Sequence, residues 1–172
     1  MKGPINLKTP LSEEDIAKLK VGDIIDISGE IFAGRDAVLP KIVKLFHENK
    51  LEENNINLKG SVIFHTAVSP AGVGPTSSNK LEIEESFLPL SEAGVKIHLG
   101  KGAISKETIK GLMERNAVFA IIPPVTALLG NQTSEKEIMA FPELGMEAFN
   151  KLKVKNYQAI IAAANGESIY DR

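Results

Sequence analysis

The 172-residue sequence contains no cysteine. That excludes disulfides, thiol nucleophiles and any iron–sulfur cluster held by this chain alone, because such clusters are anchored mainly by cysteine thiolates. The three histidines, His47, His65 and His98, are far apart in sequence and lack metal-ligand spacing. No metal site and no Ser-His-Asp set is expected within the chain. Aromatic residues make up only 5% and the net charge is −2. Without a basic stripe interleaved with aromatics, nothing points to nucleic acid or to an anionic membrane surface. No apolar run approaches the roughly 20 residues that span a bilayer. Residues 1–10 carry Lys2 and Lys8 but no apolar signal-peptide core, so the expected location is cytoplasmic.

What is present is ordinary for a soluble globular protein: 43% hydrophobic and 24% charged residues. The length suits one domain over residues 1–172, with 1–20 as a lead-in segment. There is no internal repeat. Apolar runs alternate with helical patterns, which reads as α/β. Residues 11–20 form a short amphipathic helix capped by Ser12, and a strand follows over 23–32. The spacing of Val38, Ile42, Leu45 and Phe46 predicts a helix over 37–49, with Pro40 in its first turn. A polar loop over 54–60 leads to a strand at 61–68, apolar on both faces and therefore central in the sheet. Beyond the Gly-rich loop 71–80, a helix over 81–93 closes at Gly94. A strand at 95–99 and a helix over 105–116 capped by Ser105 come next, then a strand at 117–122. The remainder reads as a weak helix at 126–129, a strand at 138–141, a helix over 145–152, a strand at 159–164 and a short one at 168–170.

Three features lie just past the carboxyl ends of predicted strands: Gly34-Arg35-Asp36, the loop 72–80, and Gly100-Lys101-Gly102. In α/β sheets ligands bind in the crevice outside those ends, so Arg35, Lys80 and Lys101 are candidate anion-binding cations. Gly72 and Gly74 let backbone N–H groups approach a ligand, and Thr76, Ser77 and Ser78 add hydroxyl donors. The loop is not a P-loop, since GxxxxGK[ST] is absent. Each feature has a plainer reading: a solvated surface cation, an ordinary turn, a core histidine at His65, a helix cap at Asp36, a first-turn charge at Glu147. Spacing alone leaves both open.

Four stretches decide further. LKTPLSEEDIAKLKVGDIIDISGEIFAGRDA, GPTSSNK, LGKGAISKET and ELGMEAFNKLKVKNYQAIIAAANGESIY together resemble the C-terminal domain of class I fumarate hydratases and the β subunit of L(+)-tartrate dehydratase. The resemblance covers essentially the whole chain. It implies a swivelling β/β/α domain, a mixed sheet flanked by helices. It implies reversible dehydration of a 2-hydroxy dicarboxylate, (S)-malate to fumarate first and L-tartrate to oxaloacetate second; a non-catalytic dicarboxylate-binding domain is the different class of answer. It also implies a 4Fe–4S cluster held by a partner α subunit and none by this chain, a heterotetramer with that partner, and a possible homodimer when alone. By the same resemblance Arg35, Lys80 and Lys101 hold substrate carboxylates, together with Gly74 and Ser77 of the loop. Thr76 matches the first threonine of the family's GPTT motif, proposed there as the base. Where that motif runs GPTTxxRM, this chain has Ser77 for the second threonine and Lys80 for the arginine. Lysine holds a carboxylate as a point charge, without arginine's bidentate fork.

Overall fold

The computed structural model describes residues 3–69, 72–76, 80–122 and 132–171, with the backbone alone at 67–69, 72–76, 80–83 and 171. Four parallel strands form the centre of the main sheet: β2 (Ile24–Ala33), β3 (Val62–Phe64), β6 (Ile97–Gly100) and β7 (Val118–Ile121), adjacent in that order. A 16-residue strand, β9 (Phe149–Ala164), runs antiparallel to them. Its first part pairs with β2 and its last part with β7. The ring β2–β3–β6–β7–β9 therefore closes on itself, leaving no free edge among those five.

Period-2 alternation explains why these strands read as continuous apolar runs. One set of side chains (Ile25, Ile27, Ile31, Val62, Phe64, Ile97, Leu99, Val118, Ala120, Leu152, Val154, Tyr157) fills the interior of the ring. The alternate set lies under the helices. Phe32 and Ile63 pack with Leu39 and Ile42 of α2 (Leu39–His47) and with Leu90 of α3 (Lys80–Glu92). Phe119 packs with Phe87 of α3 and with Ile109 and Leu112 of α4 (Lys106–Glu114). Both strand faces are covered, as in parallel sheets generally.

The lead-in is part of this body. β1 (Ile5–Lys8) pairs parallel with β2, and Leu7, Leu11 and Leu19 enter the ring's core. Ser12 caps α1 (Glu13–Ala17) in a reciprocal box with Asp15. Ser105 caps α4 as expected, and Pro40 sits in the first turn of α2. The expected strand 61–68 is divided at His65. β3 stays in the sheet, whereas β4 (Thr66–Ser69) leaves it to form a hairpin with β5 (Gly72–Thr76). The helix expected over 145–152 is not formed. A 3₁₀ turn over Pro142–Glu147 leads straight into β9, and β8 (Thr133–Ala140) pairs with β9 instead of ending at a helix. The short strand expected near 168 is β10 (Glu167–Ser168), on the edge beyond β9. The helix expected at 126–129 lies outside the described residues.

One crossing of the backbone demands glycine. Gly60 has φ +69°, its N–H donates to the Gly94 carbonyl at 2.9 Å, and its own carbonyl accepts from Leu11 at 2.7 Å. A Cβ there would stand 2.5 Å from the Leu11 carbonyl oxygen and 2.8 Å from its nitrogen. Neither is the end of a flexible side chain, so the backbone itself must yield. Gly60→Ala is expected to lower the unfolding free energy by about 3 kcal/mol, as backbone strain and overlap add. Gly3→Ala, with nothing within 4 Å, is expected to stay within about 0.5 kcal/mol. Urea unfolding midpoints of the two variants check this.

Candidate functional site

Because β2, β3, β6 and β7 are parallel, their carboxyl ends emerge at one edge. β3 lies between β2 and β6. The residues that follow β2 and β6 therefore flank the hairpin that follows β3, with strand axes about 10 Å apart across two spacings. Arg35 comes two residues after β2 and Lys101 immediately after β6. The hairpin register sets Thr76 opposite Thr66, two residues beyond the end of β3. Arg35, Thr76 and Lys101 are thus brought to one edge. Between Thr66 and Val68 the register shifts, leaving Gly74 and Pro75 opposite Ala67 alone. Such a bulge re-aims the strand next to it and recurs beside active sites. Lys80 is the first residue of α3. Ser77 lies outside the described residues.

Arg35 is fixed from several directions. The Gly34 N–H donates to the Phe64 carbonyl at 3.0 Å, tying the end of β2 to β3. A Cβ at Gly34 would meet Val38, Leu39 and Phe149, so a glycine is required where α2 packs against the turn. The Arg35 carbonyl accepts from the N–H groups of Val38 and Leu39, starting α2. Asp36 does not cap that helix: its N-cap position is Val38, which makes no side-chain capping bond.

The guanidinium of Arg35 meets the carboxylate of Glu147, not a first-turn position of a helix. Nε donates to Oε1 at 3.0 Å and to Oε2 at 3.2 Å, and Nη2 also donates to Oε1. The hydrogen bond with Glu147 raises the pKa of Arg35 above its ordinary value, against desolvation by partial burial, with further support from the charges of Glu147 and Asp36. Glu147 was legible in sequence only as a helix-start charge, because the turn that carries it was read as helix. Lys101 is exposed and makes no ion pair among the described residues.

Two of the three scattered histidines come together. His65 and His98 are fully buried; His98 stacks on Phe87 and His65 packs against it at a tilt. The Ser91 hydroxyl donates to the Phe87 carbonyl at 2.7 Å, so its oxygen receives the Nε2–H of His98 at 2.9 Å. His98 Nδ1 must then accept from His65 Nε2–H at 3.1 Å. Nδ1 of His65 is left as an acceptor with no partner among the described residues. Burial pushes both imidazoles down, His98 to about 3 and His65 well below its ordinary value, where the neighbouring His98 adds to the effect. Both are neutral at pH 7. His65 is thus a core histidine, bonded among the described residues through Nε2.

No group of three or more potential metal ligands occurs among the described residues, and no helix among them is long and apolar enough to cross a membrane. Two clefts lie away from this edge. One is lined by Thr9, Asn55, Lys59 and Met139, the other by Pro10, Ser12, Lys96 and Arg115. Neither includes a residue of the carboxyl edge. In the second, Lys96 is paired with Glu13 and Arg115 with Glu92. Two of its three lining cations are thus already paired, Lys59 being the third.

The model of the family described as "Fumarase C-terminus" matches residues 2–172. A "Putative L(+)-tartrate dehydratase subunit beta" of Methanocaldococcus jannaschii is 33% identical, over 94% of this chain and 88% of its own length. The "L(+)-tartrate dehydratase subunit beta" of Escherichia coli K12 is 30% identical, over 91% and 81% respectively. A "Putative fumarate hydratase class I" of Geobacillus stearothermophilus is 26% identical over 97% of this chain, which spans 34% of that protein.

Proposed function

We propose, from the premise that the chain belongs to the fumarase C-terminus family, that it is the dicarboxylate-binding β subunit of a hydro-lyase acting on a 2-hydroxy dicarboxylate. (S)-malate, dehydrated to fumarate, is the first substrate, and the fold we assign is the swivelling β/β/α domain. The observation that carries the reading is the convergence of Arg35, Thr76 and Lys101 at the carboxyl edge of one parallel sheet. L-tartrate is the second reading, favoured by the names of the relatives that match along most of their own length.

The 4Fe–4S cluster that the resemblance implies does not fit this chain's own donors. There is no cysteine, and the described residues hold no ligand cluster. We assign it to an α subunit, in a heterotetramer, and derive no step through it. What this chain supplies is binding and proton handling. Arg35, Lys80 and Lys101 hold the two carboxylates, and their positive charge stabilises the aci-carboxylate that develops as the C3 proton leaves. Gly74 and Ser77 complete the loop side of the site. Thr76 stands beside that proton. Its hydroxyl is too weak a base alone and takes its activator from the partner.

The test is reconstitution under anaerobic conditions. Full-length chain is mixed with an α subunit carrying its cluster, and turnover of (S)-malate, fumarate and L-tartrate is followed, with each subunit alone as control. Activity in the mixture only is expected, with malate preferred. Preference for tartrate would install the second reading. A complex that binds dicarboxylates without turning any over would make this a binding domain instead.

A further inference from the structure

Although its backbone is fixed from several directions, the guanidinium of Arg35 is held along one edge only among the described residues. A guanidinium has five coplanar N–H donors: one on Nε and two on each terminal nitrogen. Glu147 takes the Nε edge with part of Nη2, and Nη1 has no partner among the described residues. Among the described residues the second edge, formed by Nη1 and Nη2, is therefore unfilled, and it is the edge on which another carboxylate makes a parallel two-bond fork. The pair is about one-quarter exposed on each side, so ligand can reach it while most of its surface is covered by protein.

Glu147 is delivered there by an unusual piece of chain. Between β8 and β9 the turn Pro142–Glu147 begins after Phe141 at φ +56° and is kinked at Gly145, with φ +60° and ψ −120°. It runs alongside β4, the strand whose partner carries Thr76. The chain reversal thus brings a carboxylate to Arg35 on a turn that packs beside the hairpin. That charge opposes the binding of an anion, so its presence on the site's arginine calls for a positional cause. A free arginine has many rotamers, and a ligand that must immobilise it binds more weakly.

We propose that Glu147 is a positioning residue for substrate. It locks the Nε edge of Arg35 so that the Nη1/Nη2 edge is presented, preformed, to one carboxylate of the dicarboxylate. This rests on the carboxylate-binding role of Arg35 proposed above. The rival is that Glu147 merely competes for Arg35, occupying the place of a substrate carboxylate. Positioning and competition predict opposite signs.

The experiment compares Glu147→Ala and Glu147→Gln in the reconstituted complex, with (S)-malate as probe, and follows the Arg35 Nε–H resonance in the full chain by NMR. Glutamine keeps an acceptor oxygen and removes the charge; alanine removes both. Glu147→Ala is expected to raise KM about tenfold with a smaller change in kcat. Glu147→Gln is expected to restore KM to within about threefold of the parent. Rotation about Nε–Cζ of Arg35, slow in the parent, should become fast in Glu147→Ala and not in Glu147→Gln. A KM for Glu147→Ala equal to or below the parent value overturns the proposal in favour of competition. If Arg35→Ala also leaves KM unchanged, the carboxylate site itself is wrong, while the Nε–H resonance still reports whether Glu147 immobilises Arg35. An unchanged resonance in Glu147→Ala would refute the locking step on its own.

Discussion

Lowering the pH from 7.5 to 4.5 is expected to remove about 3 kcal/mol of stability through His98 alone, with His65 adding in the same direction. The sign follows from where the protons bind. In the unfolded chain both imidazoles titrate near 6.5, whereas in the folded chain burial holds His98 at about 3 and His65 well below its ordinary value. Between those values the unfolded state binds protons that the folded state refuses, so stability rises with pH. The contribution is complete above about pH 6.5 and is lost progressively as pH falls toward the folded values. At pH 4.5 the His98 contribution is set by the unfolded pKa, two units above, at about 1.4 kcal/mol per unit. Glu13 and Asp15, whose pKa values are lowered by their hydrogen bonds to Lys96 and Ser12, act in the same sense only at lower pH. Urea unfolding at the two pH values measures the difference. His98→Gln should shrink it by the His98 share, because the amide does not titrate. Equal unfolding free energies for the parent chain at pH 7.5 and 4.5 would refute the assignment.

That pair also shows where sequence legibility ends. His65 and His98 are separated by 33 residues, and no spacing rule joins them. They meet because β3 and β6 pair in parallel, Ile63 opposite His98, which is a fact of topology. Local signals were reliable where the cause is local. The caps at Ser12 and Ser105, the stop at Gly94 and the tolerated Pro40 all follow from backbone groups within one turn. The division at His65 was invisible because β3 and β4 form one apolar run, and only the departure of the second half into a hairpin separates them.

The error over 145–152 has a different origin. In Lys151-Leu152-Lys153-Val154-Lys155 the apolar residues alternate strictly, and Leu152 and Val154 are buried while Lys153 and Lys155 are exposed. That is strand period. The preceding Glu-Leu-Gly-Met-Glu-Ala has good helix formers, and its helical pattern runs on into the start of the strand. A kink at Gly145 and a β-bulge at Asn156, φ +54°, break both periodicities. The consequence for the site was direct: Glu147, placed on a helix in prediction, lies on the turn that faces Arg35. The carboxyl-edge logic, by contrast, needed only the order of strands and loops. It set Arg35 and Lys101 just past the ends of β2 and β6, where they lie, but read as a loop the segment whose residues Gly72–Thr76 form a strand of the hairpin.

Arg35→Ala in the reconstituted complex is expected to lower kcat/KM about 10²- to 10³-fold. Loss of a charge-assisted bidentate contact in a partly desolvated site costs about 3–4 kcal/mol, and each 1.4 kcal/mol is a factor of ten. The chain itself should barely notice, since both partners are about one-quarter exposed and such pairs contribute at most about 1 kcal/mol. Part of the loss comes from what remains. Without the guanidinium, the Glu147 carboxylate faces the incoming dianion unpaired. Removing it as well, in Arg35→Ala/Glu147→Ala, should recover about tenfold of the lost kcat/KM. The effect of Glu147→Ala thus reverses sign with its background, harmful when Arg35 is present and helpful when it is absent. A merely structural Glu147 would be harmful or neutral in both. Turnover measured on the parent, both single variants and the double variant yields the coupling directly. A double variant no better than Arg35→Ala would mean that Glu147 does not face the substrate.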